Sequence, residues 1–111
     1  MRNAEGQHAM STVSVHIVTY HSGQWIRQCL EAVFQQTHPI ERVIVIDNGS
    51  RDDTMPILHD FARQYDKLEV VENTENRGFA GAHNQAMRMS SSDYFLVLNP
   101  DVALHEDYLT H

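Results

Sequence analysis

Four short runs rich in β-branched and aromatic residues alternate along this chain with three segments of helical period. The runs are "VSVHIVT" (13–19), "RVIVID" (42–47), "LEVVEN" (68–73) and "DYFLVLN" (93–99). Each is four to eight residues long and near-continuously apolar, as a strand buried on both faces must be. Strands that alternate with helices are joined by crossovers, and crossovers make neighbouring strands parallel. The pattern therefore predicts an α/β fold: a Rossmann-like three-layer sandwich around a mainly parallel sheet of order 3-2-1-4.

The helical segments carry the matching signal. Between the first two strands, Ile26, Cys29, Leu30, Val33 and Phe34 recur at i, i+3, i+4, i+7 and i+8, one face of a helix. Ser22 is the expected N-cap, and His38-Pro39 ends the segment. After "NGSRDDT", Leu58, Phe61, Ala62 and Tyr65 supply the inner face of a second helix, with Asp52 or Asp53 near its start. A third helix spans 78–89, with Phe79, Ala82, Ala86 and Met87 expected inward. Asn84 on that helix reads as a surface residue.

With 111 residues the chain holds one domain. Fifteen acidic residues against eight basic ones give a net charge of −7, and no Lys/Arg cluster appears. That argues against a nucleic-acid backbone as partner. The single cysteine, Cys29, excludes an internal disulfide and a cysteine zinc site, and reads as a buried thiol. No apolar run approaches the roughly 20 residues of a membrane span. The opening "MRNAEGQHAM" has no hydrophobic stretch and is not a signal peptide, so residues 1–11 read as a flexible leader. The eight histidines are scattered, form no metal pair and are expected to be mostly solvent-facing.

In a doubly wound sheet a crevice opens where strand order reverses, here between strands one and four. Four loops meet at that rim: "TYHSG", "DNGSRDD", "ENTENRG" and "NPD". Tyr20, Asp47, Arg77 and Asp101 can therefore face a common ligand, and their types suit a nucleotide with a diphosphate. Tyr20 packs on a ring. Arg77 pairs with an anion. Asp101 holds a divalent cation whose other ligands are phosphate oxygens and water. Each has a plainer reading. Asp47 can cap the turn that follows it. Arg77 can be a solvated loop residue, Gly78 a turn glycine and Asp101 the N-cap of "VALHEDYL". The dinucleotide fingerprint and the P-loop are both absent. A receiver-type domain needs an acidic pair where Tyr20-His21 stands.

Taken together and in this order, "VSVHIVTYHSGQWIRQCLEAVFQQTHP", "RVIVIDNGSRDDT", "ENTENRGFAGAHNQAM" and "YFLVLNPDV" resemble the N-terminal half of a family 2 glycosyltransferase of the GT-A fold. The resemblance covers about residues 12–110, and the "LNPD" form looks most like the bacterial rhamnosyltransferase-like branch. It implies that residues 12–111 are the nucleotide-sugar-binding half of a truncated GT-A domain. The implied donor is UDP- or dTDP-linked, dTDP-rhamnose included, with Mn²⁺ or Mg²⁺ as cofactor. The acceptor is a glycan or a lipid-linked glycan, and transfer proceeds with inversion. The implied setting is cell-envelope polysaccharide synthesis in the cytoplasm or at the inner membrane face.

On that resemblance Thr19 and Tyr20 line the base pocket, Asp47 binds the base and Arg77 lies beside the nucleotide. Asn99 and Asp101 stand at the ends of the D-x-D motif, with Asp101 as the metal carboxylate and Asn99 in place of the first acid. His21 stands where the family often has asparagine. The catalytic base is expected beyond residue 111, since Glu106 and Asp107 follow the metal motif too soon. The alternative is a non-catalytic nucleotide-binding or self-assembling α/β module. A third reading, a plain structural domain, has no nucleotide affinity. An uncovered fourth strand, with Phe95 and Val97 close by, predicts self-association.

Overall fold

A computed structural model gives the structure of the protein over residues 11–102. The leader, apart from Ser11, and the segment with Glu106 and Asp107 lie outside the described residues. Seven elements follow in order: β1 (Val13–Thr19), α1 (Ile26–Phe34), β2 (Arg42–Asp47), α2 (Thr54–Gln64), β3 (Leu68–Glu72), α3 (Gly78–Met89) and β4 (Tyr94–Leu98). The sheet has the order β3-β2-β1-β4, and every pairing is parallel. The expected fold class and strand order hold, with strand ends within a residue of those read from sequence.

Because side chains alternate across a strand, β1, β2 and β3 feed two cores, while β4 feeds one through Leu96 and Leu98. Val13, Val15 and Ile17 of β1 join Val43, Val45, Leu68 and Leu98 under the apolar faces of α1 and α2. On the other face Ile44 and Ile46 meet Ala82 and Ala86 of α3, flanked by Val18, Val71 and Met89. That second core is thin. Two alanines at i, i+4 let the α3 backbone come close to the sheet.

Two expectations need correction, and a third has exceptions. Phe79 and Met87 are not inward: they are 58% and 46% exposed, and His83 is buried in their stead. The small residues Ala82 and Ala86 set the rotation of α3, so the larger apolar residues fall on its flanks. Ser22 is not the N-cap of α1. Its carbonyl accepts the N–H groups of Trp25 and Ile26, forming a turn ahead of the helix, and Trp25 occupies the cap position without a side-chain bond. The histidines do not all face solvent. His16 and His83 are buried, and Ser14 Oγ lies 2.9 Å from His16 Nε2. Cys29 is buried as expected.

β4 is an edge strand. Tyr94, Phe95 and Val97 are exposed along it. No helix among the described residues is long and apolar enough to cross a membrane.

Candidate functional site

The carboxyl ends of β1 and β2 stand in register at Thr19 and Asp47. Both residues are fully buried. Asp47 Oδ1 accepts the Thr19 hydroxyl at 2.7 Å and the Ser50 hydroxyl at 2.6 Å. Its Oδ2 accepts the N–H groups of Gly49 at 3.1 Å and Ser50 at 2.8 Å. This is the local side-chain-to-backbone bonding that makes aspartate a turn former. Gly49 adopts φ +92°, a conformation that favours glycine. Thr19 and Asp47 thus build the floor of the loop and expose nothing to a ligand.

The next residue, Asn48, lies where three loops meet. Its Nδ2 donates to the Gly78 carbonyl at 3.2 Å, and its Oδ1 accepts from Asn73 Nδ2 at 3.0 Å and the Arg77 N–H at 3.2 Å. Asn73 in turn exchanges two side-chain bonds with Gln85 of α3, at 2.8 and 3.1 Å. Such satisfied polar networks fix loops relative to one another. Gly78 opens α3 at φ +76°, its N–H donating to Asn76 Oδ1.

The loop after β1 is clamped to the start of α2. Ser22 N–H donates to Thr54 Oγ1 at 2.8 Å and Gly23 N–H to Asp52 Oδ2 at 3.0 Å, while Asp52 Oδ1 accepts from the Thr54 N–H and hydroxyl. Burial alone raises the Asp52 pKa, but the bonds from Thr54 and Gly23, with His21 nearby, hold it below the ordinary carboxylate value. At the end of β4, the Asn99 carbonyl accepts the Val102 N–H and faces the Cys29 thiol at 3.9 Å. Burial pushes that thiol up to about 12, with the negative charge of Asp101 adding to it, so Cys29 is not a nucleophile.

Two adjoining cavities open above this frame. One, of about 340 Å³, lies at the β1/β4 switch point between Tyr20 and Asn48 on one side and Phe79, Asn99 and Pro100 on the other. The second, of about 430 Å³, is bounded by His21, Gly49, Arg51, Thr74 and Glu75. Tyr20, Asn48 and Asn76 wall both. Of the residues singled out from sequence, Tyr20 and Asn99 therefore line the cleft, and Thr19 and Asp47 lie beneath it. Arg77 and Asp101 are exposed and wall neither cavity. Arg77 reaches the network through its backbone N–H, and Asp101 directly follows the cleft residue Pro100.

Sequence reasoning missed Asn48, Arg51, Asn76 and Phe79. The signal for Asn48 was available: it is the first residue past the buried strand, whereas Asp47 is still paired within it. Among the described residues no group of three or more His, Cys, Asp and Glu can hold a metal ion. Asp101 with the neighbouring Asn99 fits only a cation that takes most of its ligands from phosphate and water, which is ordinary for Mg²⁺ and Mn²⁺.

Residues 14–111 match the model of Glycosyl transferase family 2. Glycosyltransferase AglE of Haloferax volcanii is 37% identical over 99 residues, 87% of this chain and 33% of the relative. The poly(ribitol-phosphate) beta-glucosyltransferase of Bacillus spizizenii is 33% identical over 80% of this chain and 14% of its own length. The chain thus spans a third or less of these relatives. Among solved structures, the mannosyltransferase PcManGT from Pyrobaculum calidifontis, in complex with GDP-Man and Mn²⁺, superposes with a TM-score of 0.81 at 29% identity, over 87% of this chain and 30% of that one. S. aureus TarS 1–349 in complex with UDP-GlcNAc gives 0.81 at 25% identity, over 89% and 29%. Matched along almost all of its described length by sequence and by fold, the chain belongs to glycosyl transferase family 2.

Proposed function

We propose that residues 12–111 form the donor-binding part of a glycosyltransferase and hold a nucleoside diphosphate sugar in the cleft at the β1/β4 switch point. The observation that carries this reading is that Tyr20, at the end of β1, and Asn99, at the end of β4, wall one cavity with Asp101 directly beyond. In open α/β sheets ligands bind at that crevice. The GDP-Man and UDP-GlcNAc held by the two solved structures support a nucleotide-sugar donor.

Tyr20 packs against the base, and the amides of Asn48 and Asn76 offer it hydrogen bonds. Thr19 and Asp47 act from beneath, keeping the Asn48 loop in place. Asn99 hydrogen-bonds ribose or phosphate, and Arg77 supplies positive charge at the rim. Asp101 would hold Mn²⁺ or Mg²⁺ together with the diphosphate, and such a cation neutralises charge on the departing nucleoside diphosphate. Transfer with inversion to a glycan or lipid-linked acceptor is proposed for the whole protein, with the general base outside the described residues. The donor is UDP- or dTDP-linked. The rhamnosyl reading rests on the Leu98-Asn99-Pro100-Asp101 form alone.

A non-catalytic nucleotide-binding or self-assembling module is the second reading, and the exposed apolar residues of β4 favour it. Calorimetric titration with UDP, dTDP and GDP, with and without Mn²⁺, separates the readings when run alongside Asp101→Ala. Mn²⁺-dependent binding that Asp101→Ala abolishes is the expected result, with a matching rise in melting temperature. A folded protein that binds none of the three sinks the proposal. In the whole protein, binding without release of sugar from UDP- or dTDP-linked donors, dTDP-rhamnose among them, selects the module.

A further inference from the structure

His21 adopts φ +52°, and it is the one non-glycine residue with positive φ among the described residues. That conformation is sterically costly for a residue with a Cβ. It is held there: the His21 N–H donates to Ser50 Oγ at 2.8 Å, and Ser50 Oγ donates to the buried Asp47. On the other side of the joint, the Tyr20 N–H donates to Ser22 Oγ at 3.2 Å. In an extended chain, neighbouring side chains point to opposite sides. The left-handed turn at His21 instead brings both rings to one side, stacked at 4.1 Å between centroids and 26° between planes. Tyr20 walls both cavities, His21 walls the second, and Tyr20 is 50% exposed. An aromatic ring that open to solvent has rotamers to lose on binding a ligand.

We propose that His21 is a positioning residue: its strained backbone and its ring fix the Tyr20 ring in the orientation that receives the nucleobase. The inference rests on the donor-binding reading of this cleft. Strain maintained by surrounding bonds is a recurrent device at binding sites. A ring ordered before the ligand arrives spares the ordering cost of binding. The stacked pair thus sharpens affinity for the base and leaves affinity for the phosphates alone.

The test uses UDP with Mn²⁺ as one probe and inorganic pyrophosphate with Mn²⁺ as the other, against three variants. His21→Asn keeps a residue that tolerates the left-handed backbone and removes the ring face. His21→Phe keeps a ring, and Tyr20→Ala removes the proposed base contact. Expected are weaker UDP binding in Tyr20→Ala and a loss of about three- to tenfold in His21→Asn, with pyrophosphate binding and melting temperature unchanged and recovery in His21→Phe. In the ligand-free protein, the Tyr20 ring protons should show a ring-current shift by NMR that vanishes in His21→Asn. Loss in Tyr20→Ala with full UDP affinity in His21→Asn overturns the role of His21 while the donor-binding reading stands. Undiminished UDP affinity in Tyr20→Ala removes the base contact itself, and the inference with it. Equal weakening of UDP and pyrophosphate in His21→Asn, or no ring-current shift in the free protein, also overturns it.

Discussion

The Thr19 hydroxyl donates to Asp47 Oδ1 at 2.7 Å, joining the carboxyl ends of β1 and β2 at a pair of residues that are both fully buried. Neither residue lines the cavities above the bond, and both support the loop that carries Asn48.

Removing either partner should therefore act on stability first. Thr19→Val keeps the shape and deletes one donor, for a cost of about 1–2 kcal/mol. Asp47→Ala strands two hydroxyls and two backbone N–H groups, for about 3 kcal/mol or more. Urea unfolding checks both. If Asp47→Ala unfolds at the wild-type midpoint yet no longer binds nucleotide, then Asp47 touches the ligand and does not merely hold the floor.

Two glycines should resist substitution for different reasons. A Cβ on Gly23 would lie 3.1 Å from Asp52 Oδ2, 3.2 Å from Asp53 Cβ and 3.3 Å from the Thr54 nitrogen, so the β1–α1 loop and the start of α2 would have to give by a few tenths of an ångström. Gly23→Ala should cost about 1–3 kcal/mol. At Gly78 there is open space, but φ is +76°, so Gly78→Ala should cost about 1–2 kcal/mol through backbone strain alone. Gly78→Asn, which tolerates that conformation better, should recover part of the loss in thermal melts. Gly23→Asn should recover none.

Acid should unfold this protein through its buried histidines. Burial, with the nearby positive groups His83 and Arg42, lowers the His16 pKa from 6.5 to about 4, and burial lowers that of His83. Between those pH values the unfolded chain binds protons that the folded chain refuses, so stability is lost as the pH is lowered. The contribution is whole above about pH 6.5, erodes below that, and for His16 is gone below its folded value near 4. Asp52, held below its ordinary range, stays ionised through most of this window and adds its own loss only under more acid conditions. Melting temperature measured from pH 7 to pH 4 should drop, and His83→Leu should flatten the curve. An unchanged slope in that variant would assign the acid sensitivity elsewhere.

The β4 edge should make the protein self-associate. Among the described residues it has no strand on its outer side, beside Tyr94, Phe95 and Val97, the last 48% exposed, and such edges pair with other chains unless charged or covered. Light scattering should give a mass above the monomer at high concentration, and Val97→Lys should return it toward the monomer. A monomer at every concentration counts against the edge as a pairing surface.

Strands and topology were legible because continuous β-branched runs such as Val43–Ile46 have few other ways to be buried, and because crossovers force parallel order. The rotation of α3 was not. Phe79 and Met87 carry the larger hydrophobic signal, but Ala82 and Ala86 decide the packing because only small residues admit the helix at that distance. The scattered histidines were read together as mostly solvent-facing, and His16 is an exception. Its place between Ser14 and Val18 in a buried strand already put it inside. The end of β2 at Asp47 was legible in the sequence, and with it the place of Asn48 as the first residue beyond the strand; the bonds that tie Asn48 to Asn73, Arg77 and Gly78 were not, because they join segments far apart in the chain.

Asn48 also bears on which changes of chain length this family member can absorb. One amide spans the β2 end, the β3 end and the start of α3, with reaches of 3.0 to 3.2 Å. Surface loops ordinarily take up inserted residues by bulging outward. The segment from Asn73 to Gly78 is pinned at both ends to a single side chain, so an added residue there has to bulge over the cleft or break the pin. Insertions that survive should therefore fall elsewhere, for instance near Pro39 at the opposite end of the sheet, and the spacing between Asn48, Asn73 and Gly78 should behave as a fixed gauge.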